Sequence, residues 1–234
     1  MSERQTQTPA EAATRTLRLH SLVVLSGLLA WCTLLVGFRM AYTGHGAFVF
    51  MIWNLFLASV PLIVSRVLLA AHNRRTSDVA QLGLAALWLL FLPNAPYVFT
   101  DLIHLERNSP LQFSYDLAML MSCAGTGLLL GYWSLFDVHK ILEERFGRRL
   151  GWAVAIGSLL LAGYGVYLGR VMRWNSWDVL TNPFELFSTM VRLLLNPTEH
   201  IRMYMLTAAA SICLVLGYAV LRSVRWIRSL HAND

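Results

Sequence analysis

Six stretches of the chain stay apolar for about 20 residues or more. They lie near residues 21–41, 47–71, 79–100, 115–136, 150–172 and 202–222, and short polar connections separate them. A helix needs about 20 such residues to cross a hydrocarbon core, so the pattern predicts six membrane-spanning helices. The third stretch departs from the rest. It reads LWLLFLPNAPYVFTDLIHL over residues 87–105, beginning as a spanning helix and ending in prolines, an asparagine, a tyrosine, an aspartate and a histidine. Pro93 and Pro96 remove the hydrogen bonds to the carbonyls of Leu89 and Leu92, and a bilayer tolerates freed carbonyls only where protein or a water-filled cavity meets them. The motif marks a site or a structural kink.

Between the fifth and sixth stretches, Asn182 to Asn196 carries a different period. Asn182 is placed to cap a short helix, Pro183 suits its first turn, and Glu185 completes a capping-box-like pair. Glu185, Ser188, Thr189 and Arg192 fall on one face, with Phe184, Phe187, Met190, Val191 and Leu194 opposite. This predicts an amphipathic helix in the outer interface of the bilayer, with a re-entrant segment as the alternative. The fold class expected is all-α integral membrane: a six-transmembrane helix bundle with a short amphipathic interfacial helix between helices 5 and 6. The bundle occupies residues 21–226, between a cytoplasmic tail at 1–20 and another at 227–234, and neither an internal repeat nor a Gly/Ser linker divides it. Gly127 with Gly131, and Gly165 with Gly169, are small-xxx-small pairs that let backbones approach closely in lipid.

Composition agrees with the pattern. Of 234 residues 56% are hydrophobic and 14% charged, with a mean hydropathy of +0.53, which excludes an ordinary soluble domain. The first apolar run exceeds the roughly 7–15 residues of a signal-peptide core and reads as an uncleaved anchor. A net charge of +6 would suggest nucleic acid in a soluble protein, but here the basic residues cluster in alternate connections. With the N-terminus inside, 13 Lys and Arg lie on the cytoplasmic side and six (Arg39, Arg107, Arg170, Arg173, Arg192 and Arg202) on the other. The positive-inside rule then puts both termini in the cytoplasm of a bacterial inner membrane, with membrane lipids and a protein within the membrane as the partners to expect, and no nucleic acid. Cys32, Cys123 and Cys213 fall inside spans, with neither a disulfide framework nor metal spacing.

The candidate chemistry gathers on the outer side. Asn94, Tyr97, Asp101 and His104 are spaced by three, four and three, so a helix that recovers beyond Pro96 aligns them in one stripe. In the fifth span Tyr167, Arg170, Arg173 or Trp174, and Trp177 recur at helical spacing and end in RVMRWNSWD, which adds Asn175 and Asp178. Asn54 lies at comparable depth in the second span, and Asp116 opens the fourth. Bland readings exist for several of these: Trp174 and Trp177 suit an aromatic belt, Asp116 the positive end of its helix, and Arg170 a snorkelling side chain. Convergence resists them, because ionisable groups within a membrane are costly and usually face a cavity or a partner. Asp101 and Arg170 are expected to meet across the third and fifth spans.

WNLFLASVPL at 53–62, LFLPNAPYVFTDLIHL at 90–105, YLGRVMRWNSWD at 167–178 and the YD opening the fourth span together resemble a bacterial membrane family, domain of unknown function 1361. The resemblance extends over about residues 25–225. It implies a polytopic inner-membrane protein and supplies no activity, cofactor or catalytic residue.

Three functions fit these residues. The first is an intramembrane enzyme acting on a lipid or lipid-linked substrate, with Asp101 and His104 as an acid/base pair or as two metal ligands that Asp116 or Asp178 would complete. Asn54, Asn94, Tyr97, Asp116, Arg170, Arg173, Asn175 and Asp178 would then line the substrate, the two arginines holding an anionic headgroup. No HExxH, nucleophile elbow or phosphate loop accompanies them. The second is a non-catalytic assembly or scaffold subunit, with the polar residues as an internal ion-pair network. The third is a small transporter built around the broken third helix. An almost wholly apolar cytoplasmic half argues against that.

Overall fold

The computed structural model describes residues 9–44, 46, 48–105, 110–196, 198 and 200–231, with side chains described from 21 to 225 apart from Pro110 and Leu194. The arginines of both tails, Arg107, and Leu194 of the expected apolar face lie outside the described side chains. Among the described residues every regular element is a helix and there is no strand: α1 (Pro9–Thr43), α2 (Val49–Asn73), α3 (Asp78–Phe91), α4 (Asn94–Tyr97), the 3-10 helix η1 (Val98–His104), α5 (Pro110–Phe146), α6 (Arg148–Arg170), α7 (Asp178–Thr181), α8 (Pro183–Leu195) and α9 (Ile201–His231). Six segments are long and apolar enough to cross a membrane, with α3, α4 and η1 together forming the third.

Burial follows the helical period. On α2, Met51, Leu55, Ala58, Leu62, Ser65 and Leu69 face inward, while Trp53, Phe56, Ile63 and Val67 point out. α5 is the central post: it packs on α1, α2, α4, η1 and α6. Across its apolar window 67% of the residues are buried, against 17% in α1 and in α9, which lie at the periphery. Arg75, at φ 52°, ends α2, and Ser77 restarts the chain by accepting from Ala80 N at the head of α3. Gly147, at φ 85°, reverses the chain between α5 and α6 in a conformation that disfavours any side chain.

The third span breaks where its prolines stand. α3 stops at Phe91, and the chain continues as a single turn and then as a 3-10 helix. The small-xxx-small glycines explain why a kinked backbone fits in the middle of the bundle. A Cβ on Gly127 would lie 2.6 Å from the Ala95 carbonyl oxygen, and one on Gly131 2.8 Å from Ala95 Cβ. On α6, a Cβ on Gly165 would lie 2.5 Å from Pro93 Cγ, and one on Gly169 3.0 Å from Tyr97 Cε2. Both pairs therefore clasp α4 from two sides.

Several expectations need correction. α5 begins at Pro110 and runs on to Phe146, so Asp116 is well inside the helix, away from its N-terminal dipole. α6 ends at Arg170, and Arg173 adopts φ 61° in the turn beyond, so the stripe of the fifth span stops there. Asn182 makes no side-chain cap to α8. Of the expected polar face of α8, Thr189 is buried with Leu186 and Leu193, whereas Phe184 (90% exposed) and Phe187 point outward. The helix docks by a mixed face because Leu193 and Met190 pack with Tyr164, Leu168 and Met203. Finally, the half of the bundle away from Asp101 is not wholly apolar: the C-terminal extension of α5 carries Asp137, His139 and Glu143 against Arg66, Tyr218 and Arg222.

Candidate functional site

Asp101, on η1, is 1% exposed, and two other spans reach it. Asn54 Nδ2 of α2 donates to Oδ2 at 2.8 Å, and Arg170 Nη2 at the end of α6 donates to Oδ1 at 3.1 Å. The same guanidinium donates to the Thr100 carbonyl at 2.6 Å and to the Tyr97 hydroxyl at 3.3 Å, and lies 5.3 Å from the centre of the Tyr97 ring. Arg170 Nε is buried without a hydrogen-bond partner. The Asp101–Arg170 ion pair thus forms directly and locks the second, third and fifth spans together at one end of the bundle.

A second group of bonds repairs the proline break. Asn94 Nδ2 donates to the Phe91 carbonyl and to Ser176 Oγ, both at 2.9 Å, and Ser176 Oγ in turn donates to the Leu90 carbonyl at 3.2 Å. Ala95 N takes the Leu92 carbonyl at 3.1 Å. Three carbonyls left over at the end of α3 therefore find donors inside the protein, which is the condition for irregular backbone at membrane depth. Ser176 lies in the turn after α6, where no helical period points to it, and its acceptor, the Leu90 carbonyl, is opened by the end of α3 at Phe91 and is neither of the two that the prolines release directly.

The remaining candidates stand apart. Asp116 is held by Arg39 of α1 in a two-pronged pair, Nε to Oδ1 at 2.5 Å and Nη2 to Oδ2 at 2.9 Å. In the sequence Arg39 enters only as one of the six basic residues on the outer side, with no partner indicated. Asp178 accepts from Asn175 N at 2.6 Å and from Thr181 Oγ1 at 3.2 Å, building the turn that leads into α7. Arg173 and Asn175 are exposed, and Trp177 covers the turn against Trp53 at 6.4 Å. His104 is exposed and packs on the Phe50 ring at 5.0 Å, and no hydrogen bond joins it to Asp101 among the described residues. Asp101, His104, Asp116 and Asp178 consequently do not assemble the metal set considered for them; among the described residues no three His, Cys, Asp or Glu side chains come together in that way. What the geometry brings together is Asn54, Tyr97, Asp101 and Arg170, with Asn94 and Ser176 beside them.

The model of a family described as "Protein of unknown function (DUF1361)" matches residues 53–216, a narrower range than 25–225. The matched range contains the Asp101 cluster and its proline break, and leaves out Arg39. No curated protein and no solved structure matches the chain.

Proposed function

Because the chain belongs to the DUF1361 family of proteins of unknown function, we propose from its own geometry that it is a multi-pass inner-membrane scaffold or assembly subunit whose extracytoplasmic polar cluster fixes the bundle and does not turn over a substrate. The enclosure of Asp101 carries this reading. A general acid or base must offer a lone pair or a proton to its substrate, yet this carboxylate is 1% exposed and each oxygen already accepts from a side chain. Polar networks satisfied in this way rigidify and specify one arrangement. The 13-to-six distribution of Lys and Arg supports cytoplasmic termini and, with them, an outer-face position for Asp101. The outward phenylalanines of α8 support contact with lipid at that face.

A double-mutant cycle tests the reading. Asp101→Asn or Arg170→Gln alone should each destabilise the purified protein by about 3 kcal/mol, and the two together by less than the sum. Additive losses, or an Asp101→Asn protein as stable as wild type, would sink it. The enzyme reading keeps second place on one observation, the unpartnered Nε of Arg170, which leaves that guanidinium with a donor to spare for an anionic headgroup. The transporter reading is weaker. Apolar side chains, among them Leu92, Leu130 and Leu159, are buried in the layer between the two polar ends.

A further inference from the structure

At the opposite end of the bundle from Asp101, His139 is 0% exposed on α5. Its ring stacks at 5.9 Å on Tyr218 of α9 and meets Trp152 of α6 edge-on at 5.2 Å. Gly151 lies so close that a Cβ there would come 3.0 Å from the ring. Both ring nitrogens face groups that can exchange or accept protons. Nδ1 is 2.7 Å from the Tyr218 hydroxyl, while Nε2 is 3.4 Å from Glu143 Oε1 and makes no hydrogen bond. Glu143 Oε2 accepts from Arg222 Nη2 of α9 at 2.6 Å, and these two side chains, 27% and 25% exposed, form the partly exposed rim beside the buried ring.

We propose that His139 is a proton-binding site whose occupancy sets how α9 is held against α5. The argument is one of hydrogen-bond direction. A neutral imidazole has one N–H and one lone pair, and the carboxylate of Glu143 can only accept. The Tyr218 hydroxyl can do either: it donates when Nδ1 is bare and accepts when Nδ1 carries hydrogen. Proton uptake breaks an O–H bond of hydronium at the rim and forms an N–H bond on whichever ring nitrogen was bare. The resulting imidazolium is a donor on both sides. Where Nδ1 was bare, uptake obliges Tyr218 to accept and to turn its own hydrogen elsewhere; where Nε2 was bare, it supplies Glu143 with the hydrogen bond that is missing there. Either way a tie between α5 and α9, His139 to Tyr218 or Glu143 to Arg222, answers to that proton.

The charged surroundings are specific. From α9 the ring is faced by Arg222, with Arg225 stacked over Phe136 at 4.2 Å. From α5 itself come Glu143, Asp137 (paired with Arg66 of α2 at 3.1 Å) and the Lys140–Glu144 pair, which His72 of α2 joins at 3.4 Å from Glu144. Arg145 is paired with Asp78 of α3, and α6 brings Arg148 and Arg149 in its first turn. Removing Glu143 or Arg222 therefore takes away neighbours of opposite sign.

The test is nitrogen NMR of histidine-labelled, full-length protein in lipid nanodiscs from about pH 5 to about pH 9, with the His139 signals assigned by their loss in His139→Gln. The expected result is that both His139 nitrogens convert to the imidazolium signature in one titration. Glu143→Gln and Arg222→Gln should displace its midpoint in opposite senses. In His139→Gln, a spin-label distance between α5 and α9 should lose the pH response that wild type shows. A His139 ring that keeps a single neutral tautomer across the range overturns the proposal, and wild type with one assigning variant, His139→Gln or His139→Asn, decides this if the other variants fail to fold. A midpoint identical in wild type, Glu143→Gln and Arg222→Gln overturns it as well.

Discussion

Arg39 and His104 show how one residue's meaning depends on what comes to meet it. Asp116 stands out in the sequence as a carboxylate at the head of a span, and Arg39 only as one of six outer basic residues; the structure joins them by two hydrogen bonds. Losing one member leaves a charge in a nearly closed place, so Arg39→Met should lower stability in detergent by about 3 kcal/mol, with Arg39→Met/Asp116→Asn less damaging than the single losses added. His104 runs the other way. Its spacing from Asp101 suggested chemistry, but the exposed ring only packs on Phe50, and His104→Ala should stay within about 0.5 kcal/mol of wild type in the same thermal melt. Asn54, Asp101 and Arg170 were legible because polar groups are rare on apolar spans and costly there. Ser176 and Arg39 were not: a turn has no period from which a direction can be drawn, and Arg39 stands alone on the first span with no second charged residue to mark a stripe.

At the scale of elements, the break in the third span was readable from Pro93 and Pro96, but its resolution into one turn and a 3-10 helix depends on neighbours that sequence order does not reveal. Those neighbours are the glycines of α5 and α6. Gly165→Ala pushes a methyl group into Pro93 and should cost about 1–3 kcal/mol. Gly157→Ala, on the same helix with nothing within 4 Å of the new carbon, should instead be neutral or stabilising by up to about 1 kcal/mol; equal losses in a side-by-side melt would refute the clasp. The period of α8 was likewise legible while its docking face was not, because Thr189 is small enough to turn inward with Leu193. Cysteines placed at 189 and 193 should resist thiol reagents of every kind. One at 188 should react with a membrane-impermeant reagent, and one at 187 only with a lipid-soluble one.

For the whole molecule, six spans and their alternation could be counted from hydropathy, but the central position of α5 could not, since it arises from contacts between helices far apart in the chain. The orientation proposed from the basic residues requires reporter fusions after residues 76 and 145 to read as cytoplasmic, and fusions after residues 108 and 197 as external; an external signal at 145 would invert every statement about inside and outside. The repair of the proline break bears on how the protein is made. Leu90 leaves the ribosome long before Ser176, the donor that satisfies its carbonyl 86 positions later, and before the glycines of α6. During synthesis the third span therefore lacks its own completion, and its second half settles in the bilayer only after the fifth span and the turn beyond it have emerged. Nascent chains truncated after the fourth span should leave residues near 100 open to cleavage by added protease, and chains extended past residue 180 should protect them.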